Sequence, residues 1–197
     1  MKNALIIFVR NPVLGKVKTR LAATIGNEKT LMLYNQLLQH TKTITINLPV
    51  TKFVYYADYI NEDDLWNGFE KRFQQGTDLG ERMKNAFAEL FDAGFKNICI
   101  IGSDCYELSS DILADAFEKL HIVDVVAGPV SDGGYYILGM NKPVPEFFIN
   151  KVWSTDTVYA DTLKDAAALN LRLHQLPMLN DIDTEADLRN SALAFFV

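Results

Sequence analysis

The segment Asn3–Val9, which reads NALIIFV, constrains this chain more than any other feature. A strand with one face in water alternates apolar and polar side chains, whereas a nearly unbroken apolar run needs cover on both faces. The run stops at the polar, Pro- and Gly-containing segment RNPVLGKVKTR, residues 10–20. Apolar positions at Leu31, Leu33, Tyr34, Leu37, Leu38 and Ile44 then follow helical spacing over 27–48, and TKFVYYA at 51–57 reads as a second strand. The chain opens with a β-loop-α-β unit.

The alternation continues. A helix is expected over 79–91, ending near Gly94, then a strand at Asn97–Ile101 and a helix capped by Ser109 and running to Leu120. Strands at 123–129 and 134–140 are separated only by the turn-forming residues 131–134, too short a link for a crossover, so a hairpin and a local break in parallel order are expected there. A helix over 157–169, a strand over 171–176 and a final helix opened by Thr184, with Asp187 in capping-box position, complete the pattern. Such alternation predicts a mostly parallel sheet covered on both faces. The length of 197 residues and the absence of a linker or repeat lead us to expect a single domain spanning residues 1–197.

Charge narrows the ligand. The net charge of −6 argues against a nucleic-acid binder that relies on bulk attraction to phosphate. Yet residues 1–27 hold Lys2, Arg10, Lys16, Lys18 and Arg20 and no acidic residue. A local basic loop on an acidic protein points to a small anionic ligand. Cys99 and Cys105 lie in or just after one strand, where regular geometry offers no easy disulfide. With no secretory apolar region and no apolar run near membrane-spanning length, a cytoplasmic protein without membrane contact is expected.

In an open α/β sheet, ligands bind beyond the carboxyl ends of the strands. In the first such loop, Arg10, Lys16, Lys18 and Arg20 supply forked and point-charge donors for phosphate oxygens, and Gly15 lets the backbone come close. A P-loop would need Gly at position 10 and Ser or Thr at 17, where Arg10 and Val17 stand, and no GxGxxG follows the first strand. In IIGSDCYEL, Asp104 follows an apolar strand and can hold a hard cation, Mg²⁺ or Mn²⁺, that shares substrate phosphates; Glu107 reads as a turn or helix-entry residue. Asp181 and Asp183 alternate across Ile182 and would point the same way in an extended segment, completing a metal site or starting the last helix.

Three further groups complete the candidate site. Asp132 can supply a further carboxylate or a substrate contact, although Asp-Gly is also a common turn, and with Lys16 it is a candidate catalytic residue. Gly133 and Gly134 leave room for a bulky ligand, and Trp153, Ser154 and Thr155 can form an acceptor-side loop with an aromatic wall, although a Trp is more often simply core. In QQGTDLGERM, Asp78 and Arg82 stand at a helix entrance that can meet a nucleotide anion, although Asp78 is equally placed to cap the helix. His40, His121 and His174 show no ligand spacing, and Cys105 has no evident His partner, so neither zinc nor cysteine-nucleophile chemistry gains support.

Over almost its whole length the chain resembles the glycosyltransferase-A-like superfamily, and within it a bacterial family labelled arsenosugar-biosynthesis or nucleotide-diphospho-sugar transferases. The resemblance rests on FVRNPVLGKVKTRLA, QQGTDLGERMKNAF, IIGSDCYEL, GPVSDGGYYILGM, VWSTDTV and NDIDTEADL, in that order. Tyr106 stands where that family usually has proline. The resemblance implies a Rossmann-like three-layer α/β sandwich, mostly parallel with one local antiparallel strand, and a divalent metal at Asp104. The Gly-Lys-Val-Lys-Thr-Arg segment is also similar to guanylyltransferases that act on phospholactate. The family label puts glycosyl transfer from a nucleoside-diphosphate sugar to a small-molecule acceptor first. Nucleotidyl transfer from a nucleoside triphosphate is the alternative, and a non-catalytic nucleotide-binding protein the second alternative.

Overall fold

The computed structural model describes residues 2–197. The elements are β1 (Asn3–Val9), α1 (Thr19–Ile25), α2 (Asn27–Thr45), β2 (Thr51–Tyr56), β3 (Glu70–Phe73), α3 (Leu79–Asp92), β4 (Asn97–Ile101), α4 (Ser110–Lys119), β5 (Val125–Pro129), β6 (Tyr135–Met140), α5 (Val158–Ala168), β7 (Leu173–Gln175) and α6 (Glu185–Arg189), with short 3-10 turns at Pro145–Phe148 and Ala194–Phe196. The strands form one seven-stranded sheet in the order β3-β2-β1-β4-β6-β5-β7. The β1–β2, β1–β4, β2–β3 and β5–β7 pairs are parallel, and β6 runs antiparallel to both β4 and β5.

The unbroken apolar run of β1 now has its physical explanation. Leu5, Ile7 and Val9 face a core formed with Tyr34 and Leu38 of α2 and with Leu113 and Phe117 of α4. Ala4 and Ile6 face the opposite core, against Met83 and Phe87 of α3 and Ala166 of α5. The result is the helix-sheet-helix sandwich expected from the alternation. A third, smaller cluster joins Leu21 of α1 and Leu33 and Leu37 of α2 to Ile182, Leu188 and Leu193, anchoring the C-terminal segment against the start of the chain.

The reversal at β6 follows from its short connection. Gly133 N–H donates to Val130 O and Val130 N–H to Gly134 O, both at 3.1 Å, closing the turn. Gly133 adopts φ 91°, and a Cβ there would meet Asp156 O at 2.1 Å, so both conformation and space require glycine. Because β6 is antiparallel, its first residues lie at the edge where the parallel strands end, and the 131–134 turn joins the ligand side of the sheet.

The helix-entry signals held: Ser109 caps α4 by accepting Ile112 N–H, and Thr184 with Asp187 forms a complete capping box on α6. Two elements were not expected, the edge strand β3 and the short helix α1, which takes up the end of what reads as one basic loop. No helix among the described residues is long and apolar enough to cross a membrane.

Candidate active site

Beyond the strand ends lies a cavity of about 1130 Å³. Of the residues singled out from sequence, Arg10, Lys16, Lys18 and Arg20 of the β1 loop line it, as do Asp104 after β4 and Asp181 and Asp183 before α6. Asp132 and Gly134 of the β5–β6 turn, Trp153, Ser154 and Thr155, and Asp78 and Arg82 at the entrance of α3 line the same space. Gly15 and Gly133 do not line it. Gly15, at φ 72°, shapes the turn in which Lys16 N–H donates to Val13 O at 3.0 Å, so its role is conformational.

The three carboxylates Asp104, Asp181 and Asp183 each bring an oxygen within 4.8 Å of the others. Their convergence is built by the backbone: Ile182 N–H donates to Asp104 O at 3.1 Å, and Leu179 N–H to Pro129 O at 3.1 Å. Ile182 turns inward, 2 % exposed, and its two flanking aspartates turn toward the cavity. Glu107 tightens this arrangement by accepting Asn180 N–H at 2.8 Å, and Ser131 donates to Asn180 Oδ1 at 2.7 Å. The turn residue expected at Glu107 thus fastens the 180–183 segment to the loop after β4.

Lys18 reaches into this acidic corner. Its Nζ lies 2.6 Å from Asp183 Oδ1 and 3.2 Å from Asp104 Oδ2, and Arg20 also pairs with Asp183. Burial works against the Lys18 charge, but Asp104 and Asp183 outweigh it and hold the ammonium pKa above its ordinary value. Burial likewise opposes ionisation of Asp183, and Lys18 and Arg20 prevail, so its carboxyl is held below the usual range. Among the described residues Asp181 makes no ion pair, and Lys18 offsets only part of what opposes its charge. Burial, reinforced by Asp104, Asp183 and Asp132, pushes it up to about 7.

Other parts of the site are held by hydrogen bonds to the backbone. Tyr34 clamps the first cation of the loop, its hydroxyl oxygen accepting Arg10 N–H at 3.0 Å and its O–H facing Arg10 O at 3.1 Å. Asp78 caps α3, its Oδ1 accepting Glu81 N–H at 2.8 Å, which commits one carboxylate oxygen to the helix. Asp132 Oδ1 accepts Gly134 N–H at 2.9 Å, so one of its two oxygens serves the turn. Trp153 packs on Gly80, where a Cβ would lie 2.1 Å from its Nε1. Arg82 donates from Nε to Gly76 O at 3.1 Å. Among the described residues Arg10, Lys16 and Arg82 make no ion pair.

Gln74, just after β3, was not anticipated. It is 6 % exposed and lines the cavity, and its Nε2 donates to Tyr55 O at 2.9 Å and Val9 O at 3.3 Å. Two carbonyl partners fix the amide orientation and leave Oε1 as an acceptor. Its only signal in the sequence is a polar residue directly after a strand, and that strand was too polar to recognise.

Three solved structures bear on what this arrangement is. A protein of Desulfovibrio desulfuricans, provisionally described as a nucleotide-diphospho-sugar transferase, is 32 % identical over 100 % of this chain and 94 % of its own, with a TM-score of 0.88. A 4-diphosphocytidyl-2C-methyl-D-erythritol synthase of Anaerococcus prevotii matches with a TM-score of 0.62 at 10 % identity, over 98 % of this chain and 95 % of its own. A CMP:2-keto-3-deoxy-manno-octonic acid synthetase complexed with CTP matches with a TM-score of 0.62 at 8 % identity, over 96 % of each chain. At such low identity the last two speak to the fold alone. No curated protein matches the sequence. Fold and site together define the class, a transferase built on the nucleotide-diphospho-sugar transferase fold. Within it, the chain belongs to the family described as uncharacterized protein conserved in bacteria (DUF2064), whose model matches residues 41–155.

Proposed function

We propose that this protein transfers a nucleotidyl group from a nucleoside triphosphate to an anionic small-molecule acceptor, with release of pyrophosphate. The observation that carries this reading is the charge layout of the cavity. Arg10 and Lys16, both without an acidic partner, share the β1 loop with Lys18 and Arg20, and Arg82 supplies a further cation with no acidic partner. Such a layout suits a polyphosphate together with a second anion.

An acceptor oxygen that is already ionised needs no base. Its lone pair bonds to the α-phosphorus, the bond from α-phosphorus to the bridging oxygen breaks, and pyrophosphate leaves with that electron pair. Lys16 and Arg10 hold the departing charge, and Tyr34 keeps the Arg10 backbone in register. Gln74 Oε1 offers an acceptor to an N–H on the base edge. Gly134, Ser154, Thr155 and the Trp153 wall flank the acceptor.

The residues present fit a divalent ion. Asp104, Asp181 and Asp183 are hard oxygen donors within 4.8 Å of one another, and Asp181 makes no side-chain hydrogen bond or ion pair among the described residues, while burial and then neighbouring like charges resist its ionisation. Bound there, Mg²⁺ or Mn²⁺ would neutralise phosphate charge.

Glycosyl transfer is the second reading, favoured by the description of the Desulfovibrio relative and by Asp132 on the cavity wall. There an acceptor hydroxyl attacks the anomeric carbon, the carbon–oxygen bond to the diphosphate breaks, and Asp132 takes the proton. One experiment separates the two. The protein is incubated with Mg²⁺ or Mn²⁺, each common nucleoside triphosphate or nucleotide sugar, and a panel of phosphorylated and carboxylated acceptors. Acceptor-dependent pyrophosphate supports nucleotidyl transfer, and nucleoside diphosphate released from a nucleotide sugar replaces it with glycosyl transfer. Nucleotide binding without either product sinks both and leaves a nucleotide-binding protein.

A further inference from the structure

Lys18 differs from its neighbours in the β1 loop. Among the described residues Arg10 and Lys16 make no ion pair, and Arg20 is 70 % exposed at its side chain, whereas the Lys18 side chain is 8 % exposed and engages two carboxylates on segments far apart in sequence. Its backbone is left-handed, φ 43° and ψ 51°, a region disfavoured for a residue with a side chain, and it stands at the N-cap of α1 without capping it. A strained backbone at that point is explained by where it delivers the ammonium.

That position is the one a metal would need. Nζ sits 2.6 Å from Asp183 Oδ1 and 3.2 Å from Asp104 Oδ2. A divalent ion binds carboxylate oxygens at about 2.0–2.6 Å. An ion shared by these carboxylates, whose oxygens lie within 4.8 Å of one another, would fall within a few ångström of the ammonium and repel it. Ion and ammonium therefore compete for the same oxygens. Evicted alone, the ammonium would be left buried without a partner, which is strongly unfavourable. A phosphate in the cavity changes this, because it offers the displaced Lys18 a new charge-assisted partner.

We propose that Lys18 is a built-in cation that closes the carboxylate cluster in the nucleotide-free protein, so that a divalent ion enters together with a phosphate-bearing ligand and not before it. The inference rests on the reading of this cavity as a metal and nucleotide site, and it assigns that site an order of filling. The coupling is reciprocal: whatever the phosphate does for metal affinity, the metal does for phosphate affinity. A transferase built this way does not hold its metal idle.

The test uses Mn²⁺ as the probe, followed by water-proton relaxation enhancement, which responds to ion held on a slowly tumbling macromolecule. Mn²⁺ is titrated alone, and with saturating inorganic tripolyphosphate, into the wild type, Lys18→Met, Lys18→Gln and Lys18→Arg. Without tripolyphosphate, Lys18→Met and Lys18→Gln should bind Mn²⁺ at least about tenfold more tightly than the wild type, the scale of an ordinary coupling between sites. Lys18→Arg, which keeps the cation, should resemble the wild type. Mn²⁺ alone should raise the melting temperature of Lys18→Met and leave that of the wild type unmoved. Equal Mn²⁺ affinity in wild type and Lys18→Met overturns the proposal, as does wild-type binding that is indifferent to tripolyphosphate. If neither protein takes up Mn²⁺ even with tripolyphosphate, the metal site itself is refuted. Circular dichroism identifies a variant that fails to fold, and the Gln and Met variants serve as each other's control.

Discussion

Asp181→Asn should stabilise the metal-free protein at alkaline pH. Burial and the facing carboxylates of Asp104, Asp183 and Asp132 raise the Asp181 pKa from 3.8 to about 7. A carboxyl with a raised folded-state pKa favours the folded state fully below the unfolded value, and that contribution is lost as pH climbs through the folded value. The loss therefore falls between about pH 4 and pH 7. At about 1.4 kcal/mol per tenfold change in proton affinity, the interval corresponds to roughly 4 kcal/mol, and water reaching this half-buried group reduces it to about 2 kcal/mol. Asparagine keeps the shape and removes the charge. Urea unfolding in chelator should find Asp181→Asn more stable than the wild type by about 2 kcal/mol at pH 8.5 and by less than about 1 kcal/mol at pH 5. A gain that is the same at both pH values, or no gain at pH 8.5, would refute the argument that burial and the facing carboxylates oppose the Asp181 charge.

Asp104→Asn should leave the circular dichroism spectrum intact, since Asp183 still pairs with Lys18, and weaken Mg²⁺-dependent nucleotide binding by about tenfold or more in calorimetry; unchanged affinity removes Asp104 from the site. Gln74→Met should weaken binding of the preferred nucleotide by about 1–3 kcal/mol while tripolyphosphate affinity stays constant, and an equal loss for both ligands would assign Gln74 a merely structural role. Gly80→Ala places a Cβ 2.1 Å from Trp153 Nε1 and should lower stability by about 1–3 kcal/mol as the indole shifts. In steady-state assays its KM for acceptor should rise more than its KM for nucleotide, and the opposite split would move Trp153 to the nucleotide side.

The parts of the fold legible in the sequence are those whose burial leaves a pattern. β1 is apolar from Ala4 to Val9 because both its faces are covered, and β4 likewise has five consecutive buried residues. The reversal at β6 was legible because a four-residue link cannot span a crossover. β3 reads EKRF, with no fully buried residue, because it forms the edge of the sheet and its identity comes from hydrogen bonds to β2. α1 has a single fully buried side chain, Leu21, too little for a periodic signal, so it merged with the basic loop before it.

The same contrast divides the site. Arg10, Lys16, Lys18, Arg20 and Asp104 were readable because charged residues directly after apolar strands fall at the ligand edge of such a sheet. What those charges do to one another was not. Lys18 and Asp183 are 165 positions apart, and their pairing depends on the Ile182 to Asp104 backbone bond and on the Leu188 cluster that fastens the C-terminal segment. That pairing divides a loop expected to supply phosphate donors: among the described residues Arg10 and Lys16 make no ion pair, while Lys18 and Arg20 are engaged by carboxylate. Asp104 and Asp183 are accordingly bound to an internal cation before any ligand arrives, and Asp181, without one, is the carboxylate whose charge the metal-free cavity tolerates least. Cation loop and acidic corner are therefore one electrostatic unit through Lys18, and the proposed order of filling is that phosphate would free the carboxylates by taking their lysine.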